Sequence, residues 1–156
     1  MADLFFHTDI AWTGVGAAGQ GRVEIGGDSV LYSAPAGMGG KGVGTSPEEL
    51  LLAAVATCYS STLFGVLARS GLPVQAVGVR VEGTVTGYPL NAKFATLRVN
   101  PTISGGDSER GAEYKEKAEH ARNRCFIGKT IAGNVEYLVG DVQVLPDGAV
   151  SSAVTQ

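Results

Sequence analysis

The sequence holds only two cysteines, two histidines and one tryptophan in 156 residues. Two cysteines cannot build the multi-bridge framework of a small secreted fold. In a cytoplasmic setting, two thiols are inert or form a redox pair more often than a structural bridge. The histidines and cysteines show no clustered ligand spacing, which argues against a zinc site. His7 falls in an expected strand and His120 on the polar side of an expected helix, and no Cys/His pairing for acyl transfer can be read. Twelve Lys and Arg against 15 Asp and Glu give a formal net charge of −3, which leaves no basic face for nucleic acid. No charged and then apolar leader opens the chain, so a cytoplasmic location is expected.

Charge is missing altogether between Leu50 and Ala68, and the chain is organised around that stretch. Ser46 to Gly71 reads as one long helix. Ser46 and Glu49 form a capping box with Pro47 at the first helical position. Glu48 and Glu49 sit on the positive end of the helix dipole, and Arg69, Gly71 and Pro73 mark the stop. The apolar residues cover every face, so the helix is buried on all sides or spans a membrane. Thr57, Ser60, Ser61, Thr62 and Gly65 dilute its hydrophobicity. The strand-like segments on both sides need a core to cover, so no membrane is expected. The face that carries Cys58 is mostly small: Ala54, Ser61, Thr62 and Gly65 let a backbone or a substrate approach the sulfur.

The 23 glycines gather partly in the first 44 residues, where they mark turns and loops. Strands are expected over Leu4–Thr13, Arg22–Ile25 and Ser29–Ser33, the last two joined by the hairpin signal Gly26-Gly27-Asp28. Ala34–Thr45 reads as a loose loop. Pro73–Gly87 alternates Val77, Val79 and Val81 with Gly78, Arg80 and Glu82, a half-buried antiparallel strand. Lys93–Ile103 is its hairpin partner. Asp107–Cys125 reads as a second helix capped by Ser108, with Tyr114, Ala118, Ala121 and Cys125 on its buried face. A short helical turn over Phe126–Ala132 and a final strand over Asn134–Leu145 follow. The fold class is α+β, in one domain over 1–145 with a loose tail over 146–156.

Gly14-Val15-Gly16-Ala17-Ala18-Gly19 spells the dinucleotide-binding glycine pattern. That pattern must open a helix, and here a strand start follows. Gly40-Lys41 lacks the other residues of a phosphate loop. Cys58 and Cys125 remain. They are either two buried, unreactive thiols or a pair, one in mid-helix and one at a helix end, able to meet and separate.

Thr45-Ser46-Pro47-Glu48-Glu49-Leu50-Leu51-Leu52-Ala53-Ala54 with Ala56-Thr57-Cys58 forms one block. Cys125-Phe126-Ile127-Gly128-Lys129 with Gly133-Asn134-Val135 forms another. Together they resemble the two signature blocks of the OsmC/Ohr family, the osmotically inducible and organic hydroperoxide resistance proteins. The resemblance implies antiparallel sheets enclosing two long central helices in an intertwined homodimer. It implies a thiol peroxidase with Cys58 as peroxidatic cysteine, Cys125 as resolving cysteine and Glu48 as the family's glutamate. The family's thiolate-stabilising arginine aligns near Ala18 or Gly19, and Arg22 is the only arginine close by. The substrate implied is an organic hydroperoxide and the reductant an external dithiol of lipoyl type, with no metal or cofactor. The rival is a protein of the same fold that binds an apolar small molecule or a partner and has weak peroxidase activity. The displaced arginine favours the rival.

Overall fold

The computed structural model describes residues 1–148; the last eight residues, most of the expected tail, lie outside the described residues. The chain divides into two compact units, Met1–Leu51 and the remainder from Leu52.

The N-terminal unit is an antiparallel sheet of β1 (Asp9–Thr13), β2 (Gln20–Ile25) and β3 (Asp28–Tyr32), in that order. Gly26 and Gly27 both take positive φ, 57° and 90°, as a two-residue hairpin turn matched to strand twist requires. The strand expected from Leu4 begins only at Asp9, and His7 precedes it. Asp9 pairs with Glu24, and β2 ends one residue later at Ile25. The segment before Asp9 therefore has no ladder to join, and Leu4, Phe5 and Phe6 are exposed. The stretch expected as a loose loop is instead stitched to β3. Buried Ser33 donates through Oγ to Val43 O and accepts from Val43 N–H, both at 2.9 Å. Ser33 N–H donates to Thr45 O, and Thr45 N–H to Leu31 O.

Helix α1 (Pro47–Arg69) starts on the predicted capping box. Glu49 N–H donates to Ser46 Oγ at 3.2 Å, and Ser46 N–H donates to Glu49 Oε2 at 3.1 Å. The motif satisfies two of the amides that the first turn leaves without helical partners.

In the C-terminal unit, β4 (Ala76–Thr86) and β5 (Lys93–Ser104) form a long antiparallel hairpin. Helix α2 (Gly111–Arg124) and the short α3 (Phe126–Ile131) follow. Asp107, not Ser108, caps the turn that leads into α2, its carboxylate accepting from Glu109 N–H at 3.0 Å. The single last strand expected over Asn134–Leu145 is two, β6 (Glu136–Val139) and β7 (Gln143–Leu145). The break has a local cause: Gly140 N–H donates to Val99 O while Asp141 N–H turns to Asn100 Oδ1. Both strands run parallel to β5, on the edge away from β4.

The core of this unit is built as the helical spacing predicts. Val55, Tyr59, Leu63, Val66 and Leu67 of α1 meet Tyr114, Ala118 and Ala121 of α2 and Leu97, Val99 and Ile103 of β5. The opposite side of α1 is open: Ala53, Ala54, Thr57, Ser61, Phe64 and Ala68 are exposed.

Candidate active site

The two cysteines, 67 positions apart in sequence, face each other in the C-terminal unit. Cys58 lies in mid-α1 and is half-buried; Cys125 is buried at the junction of α2 and α3. The junction bends because Cys125 is extended, with φ −62° and ψ 113°. Its N–H closes α2 on Ala121 O. Its sulfur accepts from Gly128 N–H at 3.4 Å and so caps α3.

Cys125 lies beside Cys58, the less buried of the two residues. Burial, then hydrogen bonding with Cys58, push the Cys125 thiol up to about 11, against the opposing pull of Gly128 N–H. Cys125 therefore keeps its proton at neutral pH. A thiol in an unfolded chain titrates near 8.5. The folded chain thus holds the Cys125 proton to a higher pH than the unfolded chain does, and this contribution is complete below about pH 8.5. It is lost as pH rises towards 11. The urea midpoint of the reduced protein should accordingly fall between pH 8 and pH 10.5, and a constant midpoint would contradict this environment for Cys125.

Three aromatic and charged groups frame the pair. Tyr59 beside Cys58 donates to Ala118 O at 3.1 Å, and burial holds its phenol well above the usual range. Arg122 on α2 donates from Nη1 to Tyr137 O at 2.9 Å. Tyr137 of β6 packs its ring against Gly128, so closely that a Cβ there would stand 2.4 Å from Tyr137 Cε1. A cavity of about 290 Å³ opens beside them, lined by Arg122, Gly128, Lys129, Val135 and Tyr137 among others. Among the described residues no three His, Cys, Asp or Glu side chains gather as a metal site would need.

The two remaining predicted residues belong to the N-terminal unit. Glu48 sits in the first turn of α1, with Oε2 buried and without a hydrogen-bond partner among the described residues. It precedes Cys58 by ten positions on one continuous helix, about 15 Å along the axis. Arg22 on β2 donates from Nε to Ser29 Oγ at 2.8 Å and from Nη2 to Ser29 O at 3.1 Å. Sequence reasoning missed Tyr137. An aromatic residue in a strand gives no sign that its hydroxyl will be buried.

Residues 39–137 match the family described as OsmC-like protein. The chain belongs to the OsmC-like family. It is also 34% identical over 139 residues to YmaD, an uncharacterized protein of Bacillus subtilis, covering 87% of this chain and 92% of that one. An OsmC-like protein of unknown function from Vibrio cholerae superposes with a TM-score of 0.69 at 15% identity, covering 88% of this chain and 99% of its own. An organic hydroperoxide resistance protein OsmC from Legionella pneumophila gives 0.65 at 24% identity, covering 92% and 99%. One from Elizabethkingia anophelis gives 0.67 at 22%, covering 93% and 99%. These likenesses show the OsmC-like fold, α+β, in which this chain's N-terminal sheet is antiparallel and its second sheet adds two parallel strands to an antiparallel hairpin. The family match spans Cys58, Cys125 and Glu48 and begins beyond Arg22.

Proposed function

We propose that this OsmC-like protein is a two-cysteine thiol peroxidase that reduces organic hydroperoxides to alcohols, in defence against oxidative stress in the cytoplasm. The placement of half-buried Cys58 beside buried Cys125 carries the reading. The more accessible Cys58 attacks the outer peroxide oxygen as a thiolate. The O–O bond breaks, Cys58 becomes a sulfenic acid, and the alkoxide takes a proton to leave as an alcohol. Cys125 then displaces that oxygen as water and a disulfide forms. An external dithiol of lipoyl type restores both thiols by exchange. The apolar length of α1 suits an alkyl tail better than hydrogen peroxide.

Glu48 and Arg22 enter through a homodimer. A Glu side chain cannot span the axial distance to Cys58 of its own helix. The orphaned Glu48 oxygen and the exposed side of α1 both favour a second copy packed about a two-fold axis. In that arrangement Glu48 of one subunit organises the site of the other, and Arg22 exchanges Ser29 for the Cys58 thiolate. One equivalent of cumene hydroperoxide should remove both thiols of the reduced protein and leave an internal disulfide. The solution mass should be twice the 16.0 kDa of the chain. Two thiols that persist after peroxide would end the peroxidase reading and leave the binding protein as the better one.

A further inference from the structure

Among the described residues, the Tyr137 hydroxyl is a buried donor without a hydrogen-bond partner, and the residue as a whole is 9% exposed. A dry, unpaired hydroxyl weakens a fold, so a chain that keeps one calls for a reason. The neighbouring tyrosines are satisfied: Tyr59 donates to Ala118 O and Tyr114 to Pro73 O. A phenylalanine at 137 would fill the same space over Gly128 without an orphan. The Tyr137 ring rests on Gly128, the residue whose N–H reaches Cys125 Sγ at 3.4 Å, and both thiols act on the phenol electrostatically.

Resting on the peroxidase reading above, we propose that Tyr137 is set for the oxygen atom that peroxide leaves on Cys58, and that it relays the Cys125 proton to that oxygen as the disulfide closes. In the reduced protein the acceptor does not yet exist. Once Cys58 is a sulfenic acid, an oxygen projects beyond its sulfur and the waiting O–H gains a partner. Donors fixed in advance where charge will develop cost no reorganisation at the moment of reaction. In the closing step the Cys125 sulfur attacks the Cys58 sulfur and the S–O bond breaks. The departing oxygen keeps its own hydrogen and needs one more to leave as water. The phenolic proton goes to it, and the phenolic oxygen takes the thiol proton of Cys125. Tyr137 ends as it began, and no outside acid, base or oxidant enters the step.

The surroundings suit a relay. The charged and titratable groups that act on the hydroxyl are Cys58 and Tyr59 of α1, Arg122 of α2, which pairs with Glu119, and Cys125 at the α2–α3 junction. The Tyr59 proton is committed to Ala118 O. Burial first, then Cys125, Tyr59 and Cys58, hold the Tyr137 phenol above its ordinary range, against Arg122. It therefore stays a donor at neutral pH.

The test is Tyr137→Phe, mixed rapidly with one equivalent of cumene hydroperoxide. Peroxide loss, dimedone-trapped sulfenic acid and remaining thiols are followed separately. Disulfide closure should slow at least about tenfold, and sulfenic acid should accumulate. Without the relay, closure needs the Cys125 thiolate, so its rate in the variant should climb about tenfold per pH unit from pH 6 to 9. The wild-type rate should stay nearly flat. The variant should melt no lower than wild type, because only an unpaired hydroxyl is gone. Replacement of Tyr137 by 3-fluorotyrosine, which keeps the hydroxyl, should restore fast closure. Wild-type closure with an unchanged pH profile in Tyr137→Phe would overturn the relay and leave the peroxidase reading intact. A wild-type protein that forms neither sulfenic acid nor disulfide would overturn both.

Discussion

Hydroperoxide consumption should fall at least about a thousandfold in Cys58→Ser, while Cys125→Ser should spend its peroxide once and stop. The two cysteines lie together, yet their settings differ in the way the proposed roles require. Cys58 is half-buried on a helix face of small residues, and only a sulfur that a peroxide can reach can open the O–O bond. Cys125 is fully buried and holds its proton. A serine at 58 is a far weaker nucleophile at neutral pH, and the buried Cys125 cannot take its place. A serine at 125 leaves the first step intact, so mass spectrometry should find one added oxygen on Cys58 and no disulfide. If Cys125→Ser lost peroxide attack as fully as Cys58→Ser, the assignment of roles would fail.

Tyr114→Ala should destabilise the C-terminal unit by about 3–5 kcal/mol, the usual range for truncating a buried aromatic residue. Tyr114 is completely buried on α2 among the core residues. Its hydroxyl donates to Pro73 O at 2.6 Å and accepts from Asp107 N–H at 3.1 Å. One side chain therefore ties the segment after α1 to the segment before α2. Tyr114→Phe keeps the ring and leaves Pro73 O and Asp107 N–H without this partner, a loss of about 1–3 kcal/mol. Urea denaturation of the two variants separates packing from hydrogen bonding. Equal losses would remove ring packing as the larger share.

The bounds of the central helix were legible, though not its burial, since the side expected to be covered stands open in the single chain. Its cap is written in Ser46 and Glu49, its stop in Arg69 and Gly71, and both ends fall within a residue or two of the reading. The buried face of α2 followed from the spacing of Tyr114, Ala118, Ala121 and Cys125. The sequence blocks around the cysteines led to the family and to both thiols. Other features depend on contacts far apart in the chain. The run from Leu4 looks like a strand, but β2 ends too soon to pair with it. Residues 134–145 look like one strand because Gly140 carries no sign of Asn100 beside it. A Cβ at Gly140 would stand 2.1 Å from Asn100 Oδ1, a clash that exists only once β5 is in place. Ser108 and Asp107 are both good caps by type, and only the geometry of the turn chooses between them. Tyr137 was the largest omission, since the burial of a hydroxyl is a property of the assembled unit.

The parallel placement of β6 and β7 has a consequence for biosynthesis. The β4–β5 hairpin can zip from its own turn as soon as the chain leaves the ribosome. The far edge of β5 waits for strands that arrive only after α2 and α3, a long-range pairing that is slow to close. Cys125 lies inside that connection, and the ring that packs on its capping glycine arrives on β6. A nascent chain therefore carries Cys58 long before the seat of Cys125 is complete. If Cys58 is the peroxide-reactive thiol proposed above, its oxidation before the final strands dock would leave rescue to the thiols of the surrounding solution.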